Sequence, residues 1–241
     1  MRDAAMSNSG LKSLVRIGEG YHLEFKRRVS SPSRLAREAI AFANTWGGTI
    51  LIGVGDDGSL YGVKDVDEEL YDLERALTSF CTPAISFSCK TVPVGAKREV
   101  LVIEIPESKR KPHFLRELDS TTQEAYIRIA DQTVAASDEM IALMASEGDH
   151  EGARFEFGDR ELLLLRFLEE YHRITVAQFA RLADISVPEA SEIMVLLTRA
   201  NILEVQPSEK EDVFVFRYHE DGVGESSVET TSRANGNGWY T

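Results

Sequence analysis

The chain has 241 residues, of which 43% are hydrophobic and 28% are charged, a composition typical of a soluble globular protein. The N-terminal segment has no apolar core, and no apolar run approaches the roughly 18 residues of a membrane helix. We therefore expect neither a secretory signal nor a membrane span. The two cysteines, Cys81 and Cys89, are too few for a disulfide framework or a zinc site, which favours the reducing cytoplasm.

The formal net charge is −13, from 27 basic and 40 acidic residues, which argues against a surface coated in positive charge for nonspecific nucleic-acid binding. The basic residues are nevertheless concentrated near the N-terminus, and a second cluster lies at 109–111. The early cluster comprises Lys12, Arg16, Lys26, Arg27, Arg28, Arg34 and Arg37. A local basic patch is therefore compatible with the overall negative charge.

Apolar spacing predicts an α+β domain over residues 11–147, in which neighbouring strands often pair as hairpins. The first ten residues are small and polar, and we expect them to be mobile. Alternating or continuous apolar runs predict strands at 21–28, 49–55, 59–63, 85–94, 98–107 and within 109–130. Helical spacing predicts helices at 34–47, 66–81 and 137–147.

A second, smaller domain is predicted after an acidic, glycine-rich linker. Helical patterns at 160–171, 175–184 and 187–200 precede two apolar segments, at 202–206 and 213–218, that would pair as a hairpin. Three helices and a two-stranded wing make a winged helix-turn-helix, which we place at 158–218. Residues 219–241 have few apolar side chains, and we expect a disordered tail there.

Two short segments contain the residues most suited to form a site. The first, residues 18–26, places Glu24 and Lys26 on the same face of a predicted strand. The second, residues 42–58, leads from a helix through two glycines and a buried strand to Asp56. A carboxylate and an amine side by side on a polar face can build a site, although such a pair is also common on an inert surface.

These segments read G-E-x3-L-E-F-K and F-A-N-T-x-G-G-T-I-L-I-G-V-x-D-D-G. Together they resemble the Schlafen-type, Alba-like DNA-binding domain family, whose members were formerly called divergent AAA ATPases. The similarity runs from about Val15 to Glu147 and includes the Y-I-R-x-A stretch that begins at Tyr126. It implies a mixed α/β fold that binds DNA or RNA. The pattern G-x4-G-K-[ST] does not occur, so we expect no ATPase activity.

Some eukaryotic members of that family are RNA endonucleases with three carboxylates at the site. The resemblance implies that Glu19, Glu24 and Asp56 would be the catalytic residues and metal ligands here, if the protein is a nuclease. Three acids at one place repel each other unless a cation neutralises them, and Mg²⁺ or Mn²⁺ prefers such oxygen ligands. The chain departs from the family at Gly20, where many relatives have serine, and after Arg128, where they often have Gly-Ser.

Structural interpretations of the same residues stay open. Asp56 belongs to an Asp-Asp-Gly sequence that any tight turn would use. Asn44, Gly47 and Gly48 are equally suited to ending a helix and allowing close backbone packing. No histidine has the spacing of a metal ligand.

The predicted winged helix has the wrong charge for conventional DNA reading. The second helix of the helix-turn-helix, predicted at 187–200, has Glu189, Ser191 and Glu192 in its early part. The wing tip at 208–212 is acidic. Because phosphates would be repelled there, we expect this module to mediate self-association or partner binding.

The favoured hypothesis is a cytoplasmic nucleic-acid-binding protein, a transcriptional or other DNA- or RNA-associated regulator, that forms a homo-oligomer and does not bind membranes. The alternatives are a metal-dependent ribonuclease and a dimerisation scaffold. The expected phosphate contacts are Arg16, Lys26, Arg27, Arg28, Lys109, Arg110 and Lys111.

Overall fold

The computed structural model describes residues 7–116, 123–147 and 158–217. Its helices are α1 Asn8–Ile17, α2 Pro32–Asn44, α3 Val66–Ser79, α4 Asp138–Ser146, α5 Asp159–Tyr171, α6 Val176–Ala183 and α7 Val187–Arg199. Its strands are β1 Leu23–Lys26, β2 Gly48–Ile52, β3 Cys81–Thr82, β4 Ser88–Gly95, β5 Arg98–Ile105, β6 Phe114–Leu115, β7 Glu124–Ile129, β8 Gln132–Ala135, β9 Arg173–Ile174, β10 Leu203–Gln206 and β11 Val213–Phe216. The α+β class is confirmed, and the predicted tail lies outside the described residues.

Helix α2 forms the centre of the larger unit, between two sheets. One sheet has the strand order β1-β2-β5-β4, with β1 and β2 parallel and the remaining pairs antiparallel. The other has the order β3-β6-β7-β8. Helix α2 connects β1 to β2 and packs against β7 and α3, which buries its residues from Ala39 to Asn44 completely or almost so. The two sheets are therefore held at positions that α2 determines.

Local sequence explains where α2 begins and ends. The Ser31 side chain accepts a hydrogen bond from the Arg34 amide, and Pro32 occupies the first turn, where no amide hydrogen is needed. At the other end Gly47 has a φ of +73°, and a Cβ there would lie 2.7 Å from the Glu107 nitrogen. A Cβ on Gly48 would lie 2.4 Å from the Phe42 ring. The two glycines thus end the helix and let β2 start directly beside it.

Three predictions about this unit need correction. Residues 8–10 belong to α1, which the sequence did not predict; Ser7 caps this helix and Leu11 buries its side chain in the core beneath the first sheet. Strand β8 was also not predicted. Residues 59–63 do not form a strand, because Leu60 and Val63 make isolated bridges to different partners, Val54 and Glu99.

The C-terminal unit comprises α5, α6 and α7 and a sheet of strand order β10-β11-β9. This element order is the one expected for a winged helix, with β9 as a strand that the sequence did not predict. Its core includes Leu164, Leu168, Phe179, Met194 and Phe214. In the described ranges, none of the helices has the length and apolar character required to cross a membrane.

Helix α4 joins the two units. Ser137, which caps α4, donates a hydrogen bond to the carboxylate of Asp212, and Asp212 is only 8% exposed. In the first turn of α4, Glu139 accepts a hydrogen bond from Ser191 on α7. The C-terminal unit therefore contacts α4 through α7. In a conventional winged helix, this is the helix that would have to enter the DNA groove.

We expect Gly47→Ala to lower the free energy of unfolding by about 1–3 kcal/mol, because it forces a side chain into the left-handed region and against backbone atoms. The matched control is Gly95→Ala, since a Cβ there meets no described atom within 4 Å. Urea denaturation of both variants checks this. Equal stabilities of the two variants would contradict the role assigned to Gly47.

Candidate nucleic-acid interface

A buried ion cluster around Arg128 lies where β7 meets β1 and α2. Arg128 is 3% exposed, and its guanidinium donates to Glu24 at 2.7 Å and to Glu38 at 3.1 Å. It also donates to the Gly20 carbonyl through Nε at 3.1 Å and Nη2 at 3.0 Å. The Lys26 ammonium pairs with Glu24 and lies 3.9 Å from Glu38. Two cations and two carboxylates therefore balance one another, and Arg128 and Glu24 are buried, where an unpaired charge is costly.

The F-A-N-T motif holds this cluster in place from α2. The Thr45 hydroxyl accepts a hydrogen bond of 3.0 Å from the Arg128 amide. The buried Asn44 side chain donates to the carbonyls of His113 and Tyr126 at 2.9 and 3.0 Å, and it accepts from the His113 amide at 2.7 Å. These contacts support the structural interpretation of Asn44, because its side-chain hydrogen bonds tie α2 to the second sheet.

The three predicted carboxylates are not arranged as metal ligands. Glu19 accepts a hydrogen bond of 2.9 Å from the Phe25 amide. Both oxygens of Glu24 are engaged, one by Lys26 and the other by Arg128. Asp56 is exposed in the turn after β2. Within residues 7–116, 123–147 and 158–217, no three acidic, histidine or cysteine side chains are grouped so that they could hold a metal ion.

The electrostatics of Glu19 agree with this arrangement. Partial burial raises the pKa of Glu19, the hydrogen bond from Phe25 lowers it in part, and the charges of Glu24 and Asp56 raise it further. The acids thus lie near enough to affect one another, but Lys26 and Arg128 already neutralise Glu24. These residues as arranged do not fit Mg²⁺ or Mn²⁺, and we derive no catalytic step from Glu19, Glu24 and Asp56.

Cys81 and His113 are two further side chains of a reactive type in the larger unit, and both are structural. Burial raises the pKa of the Cys81 thiol to about 12, so the thiol stays protonated. His113 is buried and makes ring contacts of 2.7 Å with the Pro83 carbonyl and the Ser108 hydroxyl. Burial also lowers the pKa of His113, so we expect a neutral imidazole at pH 7. Neither residue presents an activated nucleophile or base.

A cationic cavity of about 430 Å³ opens at the N-terminus of α2. Among the described residues, those that line this α2 groove include one acid, Glu38, and four basic side chains: Lys26, Arg28, Arg34 and Arg37. Arg34 and Arg37 were absent from the predicted contacts, although they belong to the early basic cluster. Their spacing of three residues in a helix that starts at Pro32 could have identified them, because such residues share a helix face.

A second cavity adjoins the first at Arg28, which lines both. This Tyr61 groove has a volume of about 830 Å³ and is lined by both charge types: Arg27, Arg28, Lys64, Arg98, Asp65, Glu68 and Glu69. The Arg27 guanidinium carbon lies 4.0 Å from the centroid of the Tyr61 ring. The pair forms a cation–π contact at the surface.

The remaining predicted phosphate contacts are dispersed. Arg16 is exposed in the last turn of α1. Lys109 and Arg110 are exposed and line a different cavity of about 460 Å³. The Lys111 side chain is only 5% exposed and pairs with Glu107 at 2.6 Å and with Glu147 at 3.0 Å. Lys111, like Lys26, is therefore engaged in internal ion pairs and is poorly placed to bind phosphate.

Comparison with known proteins identifies the domain family of the larger unit. Residues 19–137 match the family model described as Schlafen, AlbA_2. The chain contains a Schlafen AlbA_2 domain. The match ends just before α4, so α4 and the C-terminal unit lie outside it.

Similarity to solved structures is weak. The crystal structure of the DIP2311 protein from Corynebacterium diphtheriae is 17% identical to this chain, with a TM-score of 0.39. The similarity covers 62% of this chain and 29% of that one, so the chain spans less than a third of that protein's length. No curated protein matches.

We expect Arg128→Met to lower the free energy of unfolding of the AlbA_2 domain by about 3–5 kcal/mol, because Glu24 and Glu38 would be left without their buried partner. The control is Arg110→Met at an exposed position, for which we expect a change of less than about 0.5 kcal/mol. Urea denaturation followed by circular dichroism measures both. Adding Glu24→Gln to Arg128→Met should recover part of the loss, and a loss no larger than that of the control would refute the role of the cluster.

Proposed function

We propose that the Schlafen AlbA_2 domain binds nucleic acid through the α2 groove and that the protein is a DNA- or RNA-associated regulator without ATPase activity. The observation that carries this proposal is the convergence of three arginines, Arg28, Arg34 and Arg37, on one cavity in a chain whose net charge is −13. Nucleic-acid binding is also the function proposed for the AlbA_2 family. The carboxylates give no comparable support to a nuclease.

Arginine chemistry and a helix terminus suit this groove to phosphate. The guanidinium groups of Arg28 and Arg34 are exposed, and each can donate two hydrogen bonds to one phosphate. The positive end of the α2 dipole lies at the same groove, which is lined by Ser31 and Arg34 from the start of the helix. Since Arg128 pairs with Glu38, the acid in the groove carries a neutralising partner. The field that a phosphate meets there is therefore positive.

We expect the affinity of the full chain for a fluorescein-labelled 20-mer to fall steeply with salt, because each phosphate contact releases counterions. The log–log slope changes by roughly 0.9 per contact on duplex DNA and roughly 0.7 on a single strand. Arg28→Ala and Arg34→Ala should each reduce the slope by about one such step. Arg166→Ala, an exposed change on α5, is the control. A flat salt response measured by fluorescence anisotropy would reject the proposal.

We further propose that the C-terminal unit mediates association between copies of the chain. The surfaces that a winged helix turns toward DNA are engaged or acidic: Ser191 bonds to α4, Glu189 pairs with Arg160, and Glu192 is exposed. Helix α5 instead exposes two adjacent apolar side chains, with Leu162 45% and Leu163 37% exposed. Exposed apolar side chains favour protein contacts over phosphate contacts.

We expect Leu162→Glu to convert an oligomer into a monomer, because a charge in place of this exposed leucine opposes its burial between two chains. Light scattering after size exclusion measures the mass, and Glu169→Gln on the same helix is the control. A wild-type chain that is monomeric at 100 µM would contradict the association.

The proposed location is the cytoplasm. Cys81 and Cys89 are both free thiols in the described structure, as a reducing compartment favours.

A further inference from the structure

We infer that the ligand of the AlbA_2 domain is a single strand and that Arg27 and Tyr61 form a stacking site for one unpaired base. The inference rests on the proposed nucleic-acid binding and adds the class of substrate. It starts from the two cavities that meet at Arg28, since they differ in charge.

The Arg27–Tyr61 pair is prepared for stacking. The Arg27 guanidinium lies over the Tyr61 ring, and both residues are exposed, Tyr61 by 38%. A Cβ on Gly55 would lie 2.8 Å from the ring carbon Cε2, so the backbone of that turn supports the ring edge. The Arg98 side chain donates to the carbonyls of Tyr61 and Gly62 at 3.3 and 3.0 Å. The platform is therefore held in position before any ligand arrives, which reduces the ordering cost of binding.

The difference in charge between the cavities separates phosphate from base. The α2 groove is lined mainly by cations and suits the backbone of the strand. The Tyr61 groove combines basic side chains with Asp65, Glu68 and Glu69. Carboxylates repel phosphate but accept hydrogen bonds from the amino groups of bases. We therefore place a phosphate on one side of Arg28 and its base on the other.

This placement requires an unpaired base. In a duplex each base is stacked on its neighbours and paired, so its face is not available to a side chain. In a single strand the base can turn outward and lie on an aromatic ring or on the planar guanidinium of an arginine. A surface that offers an aromatic ring and an arginine guanidinium next to a phosphate groove therefore fits a single strand.

The test uses the full chain and four labelled 12-mers: a mixed-sequence DNA single strand, the same sequence as RNA, a strand of abasic sites with the same charge, and the DNA duplex. Tyr61→Ala should weaken binding of either base-containing single strand by about five-fold to a hundred-fold, the range for loss of one base–aromatic stack. It should leave binding of the abasic strand unchanged. Tyr61→Phe, which keeps the ring, is the matched control and should bind like the wild type.

A second variant tests the stacking site even if Tyr61→Ala does not fold. Arg27→Lys keeps the charge and removes the planar group, so it should weaken the base-containing single strand more than the abasic strand. Equal losses on both strands, or tighter binding of the duplex than of the single strand, would overturn the stacking site while leaving the proposed function intact. Failure of the wild type to bind any of the four probes at low salt would instead refute the proposed function.

Discussion

The buried guanidinium of Arg128 is the interaction on which the arrangement of the larger unit depends. It joins β7 of the second sheet to Glu24 on β1 and Glu38 on α2, and it bonds to the Gly20 carbonyl at the entry to β1. Removing a charged group from water is costly, so this position is stable only with both carboxylates in place. The two sheets therefore cannot shift around α2 without separating Arg128 from these carboxylates.

The cluster also explains how an anionic protein can present a cationic groove. Because Arg128 and Lys26 neutralise Glu24 and Glu38 internally, the acids next to α2 contribute little negative field at the surface. The arginines at the start of the helix then dominate the groove, whatever the charge of the remaining chain. Net charge governs long-range attraction, whereas short-range binding follows the groups within about one Debye length, roughly 10 Å at 0.1 M salt.

The C-terminal unit has the element order of a winged helix without the charge that reads DNA. Helix α7 bonds to α4 through Ser191, and its early residues include the acids Glu189 and Glu192. A fold does not by itself determine what a domain binds, because the side chains on its surface do.

Sequence alone determined the features whose cause is local. The Ser31 cap, the glycines after α2, the helical spacing of α5 to α7 and the AlbA_2 motifs all follow from neighbouring residues, and so did the early basic cluster. Helix α1 was not predicted because it starts in a small, polar segment, and strand β8 was not predicted because it has only four residues. Only the tertiary structure decided which basic side chains remain available to bind phosphate. Arg128 lies 104 residues from Glu24, and Lys111 lies 36 residues from Glu147. Whether a charged side chain faces water or an opposite charge depends on such distant partners, because ion pairing follows distance in space and burial, and neither is encoded by spacing along the chain.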